Sequence, residues 1–421
     1  MLPRLHFHSD CDYFAGCERL IPLIWHSKIV QSRYTISFSY RKSRRYEREL
    51  EAFICDDVQN HPIFSSYRLV NLTTDGETPV SDRIRRAVEV VDQLISIIFL
   101  YPIFLYEVMK LVYLYRKIRP EVLHINNGGY PGARSARSAA CAGRICRIPN
   151  IIMTVNNLTV PTKRLSRIFE YPIDCLIRLC VSRFVAASDL GVSSMVSVLK
   201  LPVVKTAIIE NAVREPKITT DRGQVRRTLN YDPNHIVIGV VAGLEKRKGH
   251  SILFEAIETV LINSPSLSDH LKVCIVGDGP LANALQHMVT KLGISPVVQF
   301  FGYRYDYLTL MSAFDILVLS SISNEDSPLS TMEALSLGIP VVVSDLAGLQ
   351  SQVIDGHNGY RFPVGDPELL AKAIISLSTD VDARKSMGNA ARDQYLNRFS
   401  PDVFVDNYLA IYGTKTDLKE N

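Results

Sequence analysis

Residues Ser320–Pro340 read SSISNEDSPLSTMEALSLGIP, with the apolar runs Ile316–Leu319 before them and Val341–Val343 after. That pattern implies a strand, a loop, a helix and a second strand. Pro328 suits the first turn of a helix running through Leu337, where a missing N–H costs nothing. Glu325 then falls in the loop, and Glu333, eight positions on, lies inside the helix. Ser327, Pro328, Leu329 and Ser330 form the helix N-terminus, whose outward N–H groups make an anion site worth most for a pyrophosphate. A carboxylate is a natural bidentate acceptor for the two hydroxyls of a ribose.

Outward from this stretch, the chain alternates short β-rich runs with helical patterns. Strand candidates are Leu5–His8, Tyr34–Phe38, Val122–Ile125, Ile151–Val155, Phe184–Ala187, Ala207–Ile209, Ile236–Val241, Val273–Val276 and Val297–Phe300, besides the two flanking runs. Most are continuous apolar runs, as suits parallel strands covered on both faces. Helical stretches between them imply βαβ units and doubly wound sheets. Eleven strands are many for one such sheet, so the expected class is α/β with two Rossmann-like domains. Each then holds its ligand at the carboxyl ends of its strands. The polar segment Arg214–Asn234 marks the boundary region.

The motif details carry a family resemblance. Glu325–Val342, EDSPLSTMEALSLGIPVV, resembles the E-x7-E segment of retaining glycosyltransferases of family 4. The resemblance implies a GT-B fold, two Rossmann-like domains facing each other across a cleft, with Glu325 by the donor sugar and Glu333 on the ribose. Val241–His250, VAGLEKRKGH, resembles the family's V-G-R-L-x-x-x-K-G, and Lys248 matches its phosphate-neutralising lysine. Gly243 stands where the family has an arginine; Lys246 or Arg247 can substitute, since a flexible cation reaches from an adjacent turn. Val276–Pro280, VGDGP, resembles the G-D-G-P turn near the nucleotide, which assigns Gly277 and Gly279 to the donor side. Phe300–Tyr303, FFGY, resembles the turn bordering the base, which assigns Tyr303.

The first half matches more loosely. Asp12–Glu18, DYFAGCE, lies where the family has Gly-Gly-x-Glu; Gly16 fits, which assigns it to the donor side with backbone close to the sugar and phosphate, and Ala15 replaces the first glycine. Pro120–Asn126, PEVLHIN, resembles P-D-V-V-H-x-H with Asn126 for the last His, and puts Gly128 and Gly129 on the acceptor side. In Met153–Asn157, MTVNN, Asn156 takes the place of a sugar-contacting His, with Asn157 beside it on the acceptor side. Asparagine hydrogen-bonds a hydroxyl but carries no proton, which weakens any acid–base role there. Ile208–Val213, IIENAV, mirrors the family's V-I-P-N-G-V at the domain junction.

The resemblance thus implies an acceptor domain over 1–207, with 395–421 returning to it, and a donor domain over 208–394. It implies transfer from a nucleotide-diphosphate sugar to a glycan or lipid-linked acceptor with retention, in cell-surface polysaccharide or lipopolysaccharide synthesis. Glu325, Lys248 and Asn156 are the expected catalytic residues, with no cofactor and no metal. A nucleotide-sugar epimerase or hydrolase on the same fold and a non-catalytic sugar-nucleotide binder are the alternatives.

Other signals bound the reading. Up to Lys205 the chain carries ten more basic than acidic side chains, and beyond it six fewer, which suggests domains with different partners. No basic stretch interleaves with aromatics, so nucleic acid is not an expected partner. The eight cysteines make no disulfide framework; Cys141/Cys146 and Cys175/Cys180 have no His or Cys at zinc-ligand spacing beside them, and reduced thiols in a cytoplasm are expected. No cleavable signal peptide is visible at the start. Asp10-Cys-Asp12 and Asp380-Val-Asp382 are D-x-D pairs, neither placed for a metal in a nucleotide domain. Gly277–Ala282 formally fits a dinucleotide fingerprint, but Val297–Phe301 offers no acid for a ribose. Leu94–Tyr106, LISIIFLYPIFLY, is too short to span a bilayer and is followed by Lys110, Arg116 and Lys117. A peripheral contact with an anionic membrane, on the inner face of the cell membrane, is expected there; a buried core helix is the alternative.

Overall fold

The computed structural model describes residues 2–11, 14, 16–54, 57–65, 98–130, 132, 134–159, 166–323 and 325–413. They divide into two compact units: one runs to Ile209 and resumes at Val405, and the other is Glu210–Phe404.

In the first unit the strands are β1 (Arg4–Ser9), β2 (Thr35–Lys42), β3 (Val58–Ser65), β4 (Val122–Asn127), β5 (Asn150–Val155), β6 (Arg183–Ala186) and β7 (Thr206–Ile208). They form a parallel sheet in the order β3-β2-β1-β4-β5-β6-β7. The second unit holds β8 (Ile236–Val241), β9 (Leu271–Val276), β10 (Val298–Phe300), β11 (Ile316–Leu319), β12 (Val341–Ser344) and β13 (Gly359–Phe362), in the order β10-β9-β8-β11-β12-β13. Both orders reverse once, between β1 and β4 and between β8 and β11. A doubly wound sheet opens its ligand crevice at such a reversal, outside the carboxyl ends of the strands.

Two-sided burial explains the continuous apolar runs. In the second sheet Ile238, Val240, Val273, Ile275, Ile316, Val318 and Val342 join one core cluster. Their neighbours Val237, Cys274, Val276, Leu317, Leu319, Val341 and Val343 join another. Successive side chains point to opposite faces, and helices cover both, so positions on both faces of the central strands are largely apolar.

The crossing back to the first unit falls at Val405, later than the boundary at 395 expected from sequence. The Tyr395 hydroxyl donates to the Val213 carbonyl, the Val213 N–H to Phe399, and Arg398 pairs with Glu210 at 2.6 Å, holding 395–400 to the second unit. Beyond, the Tyr412 hydroxyl lies 2.6 Å from His124 Nδ1 and that of Tyr408 2.9 Å from Thr154 Oγ1, fastening the last helix to β4 and β5.

The helix Leu100–Ile118 resolves part of the expectation for 94–106, of which 94–97 lie outside the described residues. Leu100, Val108, Leu111 and Tyr115 are buried, while Tyr101, Leu105, Tyr106, Met109 and Tyr113 are exposed. The segment is therefore core on one face and an apolar surface on the other. The helix Ser166–Cys180 extends that surface with exposed Ile168, Phe169, Tyr171, Leu176 and Leu179, and the Tyr101 hydroxyl donates to the Phe169 carbonyl at 2.6 Å. Among the described residues no helix is long and apolar enough to cross a membrane.

Candidate active site

At the β8/β11 reversal of the second unit, two loops lock together. The loop after β8 carries Gly243 and a short helical turn, Lys246–Lys248, ended by Gly249. Gly249 has φ +62°, and a β-carbon there would stand 2.0 Å from the Ser320 carbonyl, so only glycine lets the loop close on the end of β11. The Ile322 N–H donates to the Arg247 carbonyl at 2.8 Å and the Ser320 hydroxyl to the Gly249 carbonyl at 2.9 Å. These bonds place Lys248 and Arg247 over Glu325.

Glu325 is buried. Its Oε1 accepts from Lys248 Nζ at 2.5 Å, from the Ser321 hydroxyl at 2.8 Å and from Arg247 Nη1 at 3.3 Å. Arg247 also pairs with Glu245 at 2.8 Å. Two cations thus meet one carboxylate, and Arg247 brings the second positive charge where Gly243 offers none. Gly277 and Gly279 border this loop: the Leu244 N–H donates to Asp278, and the Leu281 N–H to Leu244. At Gly277, φ +145°, a β-carbon would stand 1.9 Å from the Ala242 carbonyl, so the turn after β9 abuts that after β8.

The helix after the loop runs Leu329–Ser336, with Pro328 as its N-cap rather than within its first turn. Pro328 has φ −66° but an extended ψ of 133°, so the helical bonds begin one residue later. No side chain caps this end, which leaves its N–H groups directed outward with the positive end of the helix dipole. Ser327 is held behind it: its carbonyl accepts from Asn211 Nδ2 and its hydroxyl from Gln352 Nε2, both at 3.2 Å. Glu333 is buried in the helix, and its Oε1 accepts from the Tyr307 hydroxyl at 2.6 Å. Tyr307 escaped the sequence reading because nothing in its local pattern points to a partner 26 residues away. Tyr303, after β10, is exposed.

In the first unit the β1/β4 reversal gathers a second group. Asn126, at the end of β4, donates from Nδ2 to Glu18 Oε1 at 2.9 Å, and its Oδ1 accepts from Asn156 Nδ2 at 2.8 Å. Asn156 is buried beyond the end of β5 and donates also to the Asn127 carbonyl at 3.1 Å. Asn157 donates to the carbonyl of Gly128, and Gly129 packs beside it. Gly16 opens the short helical turn Gly16–Leu20. Of the D-x-D pairs, Asp10 is bound to Arg41 and to the Ser135 N–H, Asp12 lies outside the described residues, and Asp380 caps the helix Val381–Gln394.

Comparison with known proteins adds to this geometry. Residues 221–394 match the family described as glycosyl transferases group 1. The D-inositol 3-phosphate glycosyltransferase of Kribbella flavida is 28% identical over 205 residues, 47% of this chain and 48% of that protein. The UDP-Gal:alpha-D-GlcNAc-diphosphoundecaprenol alpha-1,3-galactosyltransferase of Escherichia coli is 24% identical over 315 residues, 73% of this chain and 79% of that one. The crystal structure of HepE from Anabaena in complex with UDP superposes with a TM-score of 0.73 at 18% identity, covering 97% of this chain and 98% of HepE. The chain spans about half the length of the D-inositol 3-phosphate glycosyltransferases it matches. The fold is therefore of the GT-B kind, and residues 221–394, which hold Lys248, Glu325 and Glu333, match the group 1 glycosyl transferases.

Proposed function

We propose that this chain transfers a sugar from a nucleotide-diphosphate sugar to a glycan or lipid-linked acceptor, with retention of anomeric configuration, in cell-surface polysaccharide or lipopolysaccharide synthesis. The observation that carries the reading is the buried Glu325 held under Lys248 and Arg247, beside an uncapped helix N-terminus and Glu333. The helix N–H groups and the two cations supply positive charge for the leaving diphosphate, and Glu333 takes the ribose hydroxyls. In the step itself the bond from the anomeric carbon to the diphosphate oxygen breaks. The acceptor hydroxyl forms its bond on the same face and passes its proton to the departing phosphate oxygen. Positive charge on the sugar develops near Glu325, and no protein nucleophile takes part. Asn156 contributes a hydrogen bond to a sugar hydroxyl but no proton.

The reading takes no cofactor and no divalent metal, with Lys248 and Arg247 as the cations for the diphosphate. HepE was solved with UDP, and the acceptor in the name of the Escherichia coli relative is a diphosphoundecaprenol, which supports a lipid-linked acceptor. The apolar surface of Leu100–Ile118 and Ser166–Cys180, with Lys110 nearby, supports reversible contact with an anionic cytoplasmic leaflet.

The test is transfer from a panel of nucleotide sugars to a lipid-linked or oligosaccharide acceptor, with and without EDTA, and NMR assignment of the new linkage. Transfer that survives EDTA and keeps the donor's anomeric configuration is expected. An inverted linkage, or donor turnover without acceptor, contradicts it.

A further inference from the structure

At the carboxyl end of β1, the thiols of Cys11 and Cys17 and the carboxylate of Glu18 converge. One ligand atom from each lies within 4.8 Å of the other two, and among the described residues this is the group of three or more such side chains that could hold a metal. Glu18 is wholly buried. It accepts from the Tyr46 hydroxyl at 2.6 Å, the Ser9 hydroxyl at 2.7 Å and Asn126 Nδ2 at 2.9 Å, all neutral donors. A divalent cation is the countercharge these neighbours do not provide.

The donor set chooses among cations. Two thiols are soft ligands and favour a thiophilic metal over magnesium or calcium. Both cysteines are partly exposed, so an ion reaches them from solvent. Gly128 presents only backbone beside the pair: a β-carbon there would stand 3.8 Å from each sulfur. A tetrahedral zinc, with bonds of about 2.3 Å to sulfur and about 2.0 Å to oxygen, sets its ligand atoms roughly 3.5–4 Å apart. A contraction on the order of 1 Å along the longest edge therefore completes the site. The other close thiols, Cys141 and Cys180, have sulfurs 3.9 Å apart but lack a third such ligand among the described residues.

We propose that Cys11, Cys17 and Glu18 bind one thiophilic divalent cation, of the class of zinc, leaving a fourth position open. On binding, both S–H bonds break, two protons pass to solvent and two sulfur–metal bonds form, with no change of oxidation state. Occupancy fixes the turn that carries Gly16. None of the three ligands is assigned to the donor, and metal binding is measured independently of the transfer reaction.

Cobalt(II) is the probe, added to the full chain under argon with a non-thiol reductant. The expected result is one equivalent bound with a thiolate-to-cobalt charge-transfer band, displaced by zinc. Cys11→Ser and Cys17→Ser each abolish the band while keeping the wild-type unfolding temperature. In the wild-type chain, zinc slows alkylation of Cys11 and Cys17 but not of Cys175, a readout that needs no variant to fold. The proposal is overturned if the wild-type chain shows no charge-transfer band, if the band persists in both variants, or if zinc leaves alkylation of Cys11 and Cys17 unchanged.

Discussion

Lys248 Nζ lies 2.5 Å from Glu325 Oε1, so the cation proposed for the diphosphate already has an anionic partner. A diphosphate at Lys248 therefore shares that cation with the carboxylate. Glu325→Gln keeps the shape and removes the competing charge. Nucleoside-diphosphate affinity is expected to hold or to tighten by up to about tenfold, roughly 1.4 kcal/mol, while the rate of transfer falls. Calorimetry beside an activity assay checks both halves. Affinity that drops together with the rate would show Glu325 to be merely structural.

The Tyr307 hydroxyl, 2.6 Å from Glu333, fixes the orientation of the carboxylate assigned to the ribose. A hydrogen bond to a charged group contributes about 1.5 kcal/mol or more, so Tyr307→Phe is expected to weaken binding of a nucleoside diphosphate roughly tenfold. The loss should vanish when the ribose lacks its 2′ and 3′ hydroxyls. An equal loss with the dideoxy ligand contradicts the positioning role.

Buried imidazoles set the pH response of stability. Burial lowers His8 to about 4 and His124 to about 3, and pushes His6 well below its ordinary value. In the second unit it lowers His250 to about 4. Each folded-state value lies below the unfolded value of about 6.5, so the unfolded chain binds more protons once pH drops below that. Stability is therefore fully present above about pH 6.5 and is lost as pH falls toward 4. Glu18, raised by burial, acts in the opposite sense, as one carboxyl against four imidazoles. Unfolding temperatures measured from pH 7.5 to 5 should decline; a flat profile contradicts the burial of these rings.

The apolar surface separates from the core at single residues. Leu100 is buried, whereas Leu105 is 59% exposed, Met109 57% and Leu179 74%. Replacing these three with Ser is expected to reduce sedimentation with anionic liposomes at low salt and to leave the unfolding temperature nearly unchanged, as surface changes usually do. Unaltered sedimentation in a folded variant removes the membrane assignment.

Much of the fold was legible because buried parallel strands favour apolar runs, and all eleven strand candidates, most of them continuous apolar runs, became strands. The two missed, β3 and β13, are sheet edges. Asn60-His61-Pro62 and Gly359-Tyr360-Arg361 offer no apolar run, because an edge strand has one hydrogen-bonding side open and tolerates proline and charge. The pairing of Arg247 with Glu325 was half legible: a substitute cation near Gly243 was expected, but only the turn Lys246–Lys248 decides between Lys246 and Arg247. Tyr307 and the contacts of Glu18 with Tyr46 and Asn126 were not legible, since the partners come from elements 26 or more residues away.

Titration of the chain with nucleoside diphosphates by calorimetry, alongside Lys248→Ala and Glu333→Ala, tests the central claim most directly. The account predicts one site in the wild-type chain and roughly 10- to 100-fold weaker binding in each variant, the range for a charge-assisted hydrogen bond of about 1.5–3 kcal/mol. Wild-type affinity in both folded variants would contradict it.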